Sequence, residues 1–154
     1  MTDYPLTVLL KIRETEKDSA VATYAQASNL RAQARDALDR LKAEKARLVA
    51  CRDRAREQRT DATEVLQIRA FSDYVLGLER EQAACDLDLS AAARDLERAE
   101  AALSEARRNM AKAETELNAV VSHQEKWQQE RRAELAKKAA EALDDLAIQR
   151  WSQS

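Results

Sequence analysis

From Ile68 onward, apolar residues recur at alternating steps of three and four: Ile68, Phe71, Val75, Leu78, Gln82, Cys85, Leu89, Ala92, Leu96, Ala99, Leu103, Ala106, Met110, Ala113, Leu117, Val120, Gln124 and Trp127. Sixteen of these eighteen positions are apolar, with Gln82 and Gln124 the two breaks. A period of 3.5 sustained over so many turns specifies a helix that supercoils left-handedly around a partner. Between Leu89 and Ala113 the seam alternates a large residue with Ala, which lets the partner backbone approach at every second layer and favours close antiparallel pairing.

The preceding stretch offers that partner. Leu6, Leu10, Ala20, Tyr24, Ala27, Ala34, Leu38, Leu41 and Leu48 follow the same steps, but Arg13, Lys17, Arg31 and Lys45 intrude, so this seam is the poorer of the two. Thr2 and Asp3 are capping candidates, and Pro5 suits a first helical turn because its missing amide hydrogen would be unpaired there anyway. Capping residues cluster at Thr60 to Glu64, and Asp61 with Glu64 three residues on reads as a capping-box variant opening a second helix. The expectation is one elongated all-α domain over 1–154, a long two-helix antiparallel coiled-coil hairpin: helix 1 about 4–58, turn about 58–63, helix 2 about 62–150. Its seam from Ile68 to Val120 would span about 80 Å at 1.5 Å per residue. The arms are unequal. Tyr4 would lie across from roughly residue 118, leaving about 30 residues of helix 2 as a C-terminal helical overhang. There the apolar positions move to Leu135, Ala139, Leu143, Leu146 and Trp151 instead of continuing through Arg131, Glu134 and Lys138.

Composition strengthens the helical reading. Ala, Leu, Glu, Lys and Arg make up 91 of 154 residues, beside one Gly and one Pro, well into the range of long helices and coiled coils. A single Gly excludes phosphate-cradling loops, which need several positions without a Cβ. Net charge is −2 with both signs interspersed, which favours neither nucleic acid nor an anionic membrane as partner. No apolar run reaches the 18 or more residues of a membrane span, and Met1 to Leu10 lacks the basic start of a signal peptide, so direct membrane insertion is not expected and a cytoplasmic location is. One His and two Cys without metal spacing leave no catalytic, metal-binding or cofactor-binding set.

Charge also supports a hairpin closed within one chain. Residues 31–60 carry ten basic against five acidic side chains, and residues 61–91 carry two basic against seven acidic. Folding near Asp61 lays these segments side by side, and matched flanking charges select partner and orientation in coiled coils. In that register Cys51 faces a residue near 71 and Cys85 one near 37, out of disulfide reach of each other.

Some features exceed what a two-helix seam consumes. Tyr4 to Leu6 with Val8, Leu9, Leu10 and Ile12 covers more than one face, and reads equally as packing on Trp127 and the overhang or as a partner contact. His123 and Trp127, four apart, read as a packed pair at a seam end. The run Arg52, Arg54, Arg56 and Arg59 could bind an acidic partner or nucleic acid, and more often such a run is a solvated face, here interrupted by Asp53 and Glu57. Gly77 reads either as a tolerated exposed position or as a site of close approach. Tyr74 and Leu78, four apart, suggest a small exposed patch beside it.

Taken in order, these features resemble a known family. The Tyr4-Pro5-Leu6 start leading to Leu9-Leu10-Lys11-Ile12-Arg13, the turn near 60, the opening Ile68-Arg69-Ala70-Phe71-Ser72-Asp73-Tyr74, the run His123-Gln124-Glu125-Lys126-Trp127 and the tail Leu143-Asp144-Asp145-Leu146-Ala147 with Arg150 are similar to the stalk proteins of type III secretion, the SctO (YscO, CdsO) group related to flagellar FliJ. The resemblance implies a two-helix coiled coil without activity of its own. Its paired ends would enter the pore of the hexameric type III export ATPase, its tip would point to the cytoplasmic domain of the export gate, and some members also bind secretion chaperones. Carried over by position, the ATPase-binding residues would be Leu6, Leu9, Leu10, Ile12, Arg13, Arg131, Leu143, Leu146 and Arg150. The export-gate-binding residues would be Tyr74, Leu78, Glu81 and Cys85. The implied place is cytoplasmic, at the base of the secretion apparatus. Two other readings compete: a generic coiled-coil scaffold or chaperone-type adaptor, which predicts stable self-association through the Leu135 to Trp151 overhang and no response from an export ATPase, and a membrane-lying amphipathic helix, against which the alternating Ala seam argues.

Overall fold

Helix α1 runs from Thr7 to Asp61 and helix α2 from Val65 to Gln153 in the computed structural model, which describes residues 3–153. The two helices pack antiparallel as a coiled-coil hairpin, and the C-terminal part of α2 extends beyond the pairing as a helical overhang. The chain divides into two compact units, one of Met1–Ala22 with Arg108–Ser154 and one of Thr23–Arg107.

The helix ends differ from the sequence expectation in an explicable way. α1 begins at Thr7, not near Tyr4, because Tyr4, Pro5 and Leu6 form a turn whose Tyr4 carbonyl accepts from the Thr7 amide at 3.2 Å and from the Thr7 hydroxyl. Thr2, the other capping candidate, lies outside the described residues. At the far end α1 continues through Thr60, whose hydroxyl donates to the Arg56 carbonyl at 3.0 Å, and stops only after Asp61. Asp61 is thus the last residue of α1 and does not cap α2. Glu64 holds the cap position through its backbone instead, its carbonyl accepting the Ile68 amide at 3.0 Å.

The apolar period of α2 corresponds to its burial. Every seam position from Phe71 to Trp127 is buried or half-buried, both glutamines included, whereas Ile68 stays exposed. In the Thr23–Arg107 unit the core gathers Leu48, Ala55, Val75, Leu78 and Cys85, with Cys51 and Leu89 packed against them. Gln82 breaks the seam without leaving an unpaired group, since its side-chain oxygen accepts from Arg52 at 2.8 Å. The basic 31–60 segment pairs with the acidic 61–91 segment through Arg56–Glu79 at 2.6 Å and Lys45–Asp86 at 2.6 Å, and Arg31 reaches Glu100, beyond that segment, at 3.9 Å. Lys45 and Arg31, which interrupt the α1 seam, therefore reach across to α2 acids. Such exposed pairs contribute up to about 1 kcal/mol each, so they fix register more than stability.

The register itself is later than expected. Tyr4 meets His123 and Trp127, not residue 118, and the Cys85 thiol lies 3.6 Å from the Leu41 carbonyl oxygen instead of facing residue 37. Within the Thr23–Arg107 unit the cause is the connection at Ala62–Glu64, which places the turn beyond the expected point and moves the facing pairs of that unit along α2. The overhang is correspondingly shorter than 30 residues, with Arg132 to Gln153 exposed throughout.

Gly77 is half-buried in the interior of α2, and a Cβ built there meets nothing within 4 Å. Close approach within the chain therefore does not explain it. Gly77→Ala is expected to stabilise the helix by about 1 kcal/mol, through lower unfolded-state entropy and higher helix propensity. A circular-dichroism melt should show this as a rise of roughly 2–4 °C.

Candidate functional site

Chemistry is sparse along the chain. Among the described residues no group of three or more His, Cys, Asp or Glu side chains could hold a metal, and Cys51 and Cys85 are free thiols packed in the core. What the fold offers is exposed apolar surface, in two places.

The first lies in the unit that joins the start of α1 to the later part of α2. Tyr4 is buried at 7% exposure. Its hydroxyl lies 2.7 Å from His123 Nδ1, and the Trp127 ring meets its ring edge-on with centroids 5.5 Å apart. The Tyr4 part of the apolar start thus packs on His123 and Trp127. Beside this cluster a groove of about 1090 Å³ is lined by Pro5, Val8, Trp127, Arg131, Arg132 and Leu135, among others. Leu9 and Leu10 are half-buried, while Leu6 and Ile12 are exposed by 37% and 47%. Arg13 turns into the pairing, where Glu16 at 2.8 Å and Glu116 at 2.9 Å hold its guanidinium. The Glu16 hydrogen bond raises its pKa above the ordinary arginine value, opposed by a lesser desolvation effect and helped by the still smaller effect of the Glu116 charge.

Farther along, α2 runs without α1. Arg131, half-buried, pairs with Glu134 at 3.2 Å, and Lys138 reaches the same carboxylate at 3.3 Å. The Lys138 hydrogen bond and charge, followed by the Arg131 charge, hold Glu134 below the usual carboxylate range. Beyond them Leu143, Leu146 and Arg150 are exposed. The fold brings Leu6, Leu9 and Leu10 beside the Trp127 end of the pairing. It leaves Leu143, Leu146 and Arg150 on unpaired helix, since twelve residues from Arg131 to Leu143 amount to roughly 18 Å of axis.

The second surface lies on α2 in the Thr23–Arg107 unit, and here the structure divides the residues singled out from sequence. Tyr74 is 55% exposed and Glu81 is exposed, but Leu78 and Cys85 are each only 6% exposed within the core. The patch expected from Tyr74 with Leu78 does not form. Leu78 follows Val75 by three residues and shares its inward face, whereas Tyr74 is rotated about 100° from Val75 and points out. The exposed apolar stripe instead runs Leu66, Ala70 and Tyr74, continued at the start of the helix by Val65 at 80% exposure. Sequence reasoning missed Leu66 and Val65. Steps of four taken backward from Tyr74 would have found Leu66, two turns away on the same face.

Among the described residues no helix is long and apolar enough to cross a membrane. No curated protein matches the chain. In architecture it is similar to a protein from Chlamydia trachomatis described as a putative YscO homolog, at 20% sequence identity and a TM-score of 0.80, covering 96% of this chain and 93% of that one. The profile of the family described as YscO-like protein matches residues 1–149, nearly the full length over which these two surfaces are laid out, and the chain belongs to the YscO-like family.

Proposed function

We propose that this protein is a non-enzymatic central stalk of a type III secretion export apparatus. Its terminal unit binds in the pore of the hexameric export ATPase, and α2 near Tyr74 meets the cytoplasmic domain of the export gate. The observation that carries this reading is membership of the YscO-like family over residues 1–149. The fold supports it. Helices paired along an apolar seam need no ligand to act on another protein, and the Leu143 and Leu146 side chains beyond the end of α1 offer apolar area to a surrounding protein. One shaft in a sixfold ring favours particular subunit conformations in turn if it binds them with different affinity. In this proposal the protein works in the cytoplasm at the base of the apparatus, promotes ring assembly, and presents further surface to secretion chaperones.

The test is a titration into the cognate export ATPase, following hexamer formation and hydrolysis rate, with Leu6→Asp and Leu146→Asp beside the parent protein. Both positions are exposed, so the variants should retain helix content. Stimulation by the parent and its loss in the variants is the expected result. Absence of binding and stimulation at micromolar concentrations would reject the stalk reading in favour of a scaffold.

A further inference from the structure

We infer that the overhang of α2 pairs with the overhang of a second copy of this chain, antiparallel, as an alternative to its occupation by any larger partner. The first observation is that this segment is built for a partner other than α1. Along the hairpin the seam steps through Gln124, Trp127 and Arg131, and a continued 3.5 period would run on to Glu134 and Lys138. Among the apolar residues of the overhang, Leu135, Ala139, Ala142 and Leu146 form one narrow stripe with Leu143 flanking it, so consecutive steps of four follow Trp127 and rotate the face around the helix. Leu135 and Leu146 are 56% and 53% exposed.

The second observation is that this face complements itself. When two overhangs are laid antiparallel about a twofold axis between Ala140 and Glu141, Leu135 lies opposite Leu146 and Ala139 opposite Ala142, each layer occurring twice. Both layers belong to the same register, and in that register Lys138 beside the seam meets Asp145 of the other copy, again twice. The charge along the segment explains the match: the first half is net basic, with Arg131, Arg132, Lys137 and Lys138 against Glu134, and the second net acidic, with Glu141, Asp144 and Asp145 against Arg150. A parallel pair lacks this fit, since it would stack Arg132 on Arg132 in the seam and set Lys138 against Leu143. Lys138 already touches Glu134 of its own helix at 3.3 Å, yet its side chain is 65% exposed and can serve both carboxylates. With two leucine and two alanine layers the pair is weak and reversible, as a surface shared with another partner must be.

Analytical ultracentrifugation of the full chain alone, across micromolar to millimolar concentrations, tests this independently of any ATPase. The parent is expected to pass from monomer to dimer. Lys138→Glu and Asp145→Lys should each weaken dimerisation by about tenfold, because each turns two attractive contacts into two repulsive ones. The double variant Lys138→Glu/Asp145→Lys should recover it. Leu146→Asp should abolish it, with helix content checked by circular dichroism. A parent that stays monomeric throughout would overturn the inference. So would a dimer insensitive to Leu146→Asp, or single-variant losses that the double variant fails to restore.

Discussion

Leu78→Asp is expected to lower the melting temperature by roughly 10 °C or more. Leu78 is 6% exposed among Leu48, Ala55, Val75 and Cys85. Truncating a buried leucine costs about 2–5 kcal/mol in lost transfer energy and residual cavity. A carboxylate placed there adds the cost of burying an unpaired charge. The one basic residue of α2 within a turn, Arg80, is exposed and two positions on, so it points away from this face, while Glu79 and Glu81 on either side add repulsion. At about 2–4 °C per kcal/mol for a chain of this size, a loss of about 4 kcal/mol already reaches 10 °C. Tyr74→Asp, one turn earlier but 55% exposed, should move the melt by no more than a degree or two. The pair separates folding from contact. If Tyr74→Asp weakens binding to an export gate while the melt stays put, the surface is the binding element; the same loss in Leu78→Asp would only report an opened hairpin.

The seam was legible because a two-helix coiled coil is nearly a one-dimensional object. Its only long-range requirement is that one face of each helix stay apolar, and that requirement is written in the spacing of Phe71, Val75, Leu78 and the residues that follow. The charge asymmetry of the first arm and the start of the second was legible for the same reason, and Lys45–Asp86 and Arg56–Glu79 realise it. Register was not legible to the residue. A difference of a few residues at the turn displaces every facing pair, and Asp61 and Glu64 look alike as caps until it is known which of them ends α1. The patch near Tyr74 failed differently. Residues four apart share a face, but Leu78 also sits three from Val75, and when a residue satisfies both patterns the core claims it, because burying a leucine contributes about 1.5–3 kcal/mol. The terminal unit was half legible. Packing of the apolar start on Trp127 was one of two readings its spread over more than one face left open, whereas the contact of the Tyr4 hydroxyl with a ring nitrogen of His123 depends on a register no periodicity supplies.

Tyr4→Ala should free the start of α1 without unfolding the rest. The Tyr4 ring is held by three things at once: burial at 7% exposure, the edge-on Trp127 ring, and the 2.7 Å contact between its hydroxyl and His123 Nδ1. Removing a buried aromatic side chain costs about 3–5 kcal/mol in a core. At the end of a seam, where the chain can fray, about 3 kcal/mol is the larger share to expect, and it is felt as local opening, not as a shift of the global melt. Amide hydrogen exchange over Thr7 to Arg13 should therefore accelerate by about a hundredfold, since each 1.4 kcal/mol is worth a factor of ten. Tyr4→Phe keeps the ring contacts and loses only the hydroxyl, worth about 1 kcal/mol, so exchange there should rise by about fivefold. Trp127 gives a second readout. In a Trp151→Phe background, which removes an indole already 83% exposed, the emission of Trp127 should shift to the red in Tyr4→Ala and hold in Tyr4→Phe. Unchanged exchange in Tyr4→Ala would mean that Leu6, Leu9 and Leu10 are held by the pairing further along α1, and that the Tyr4 cluster is not what presents them to a partner.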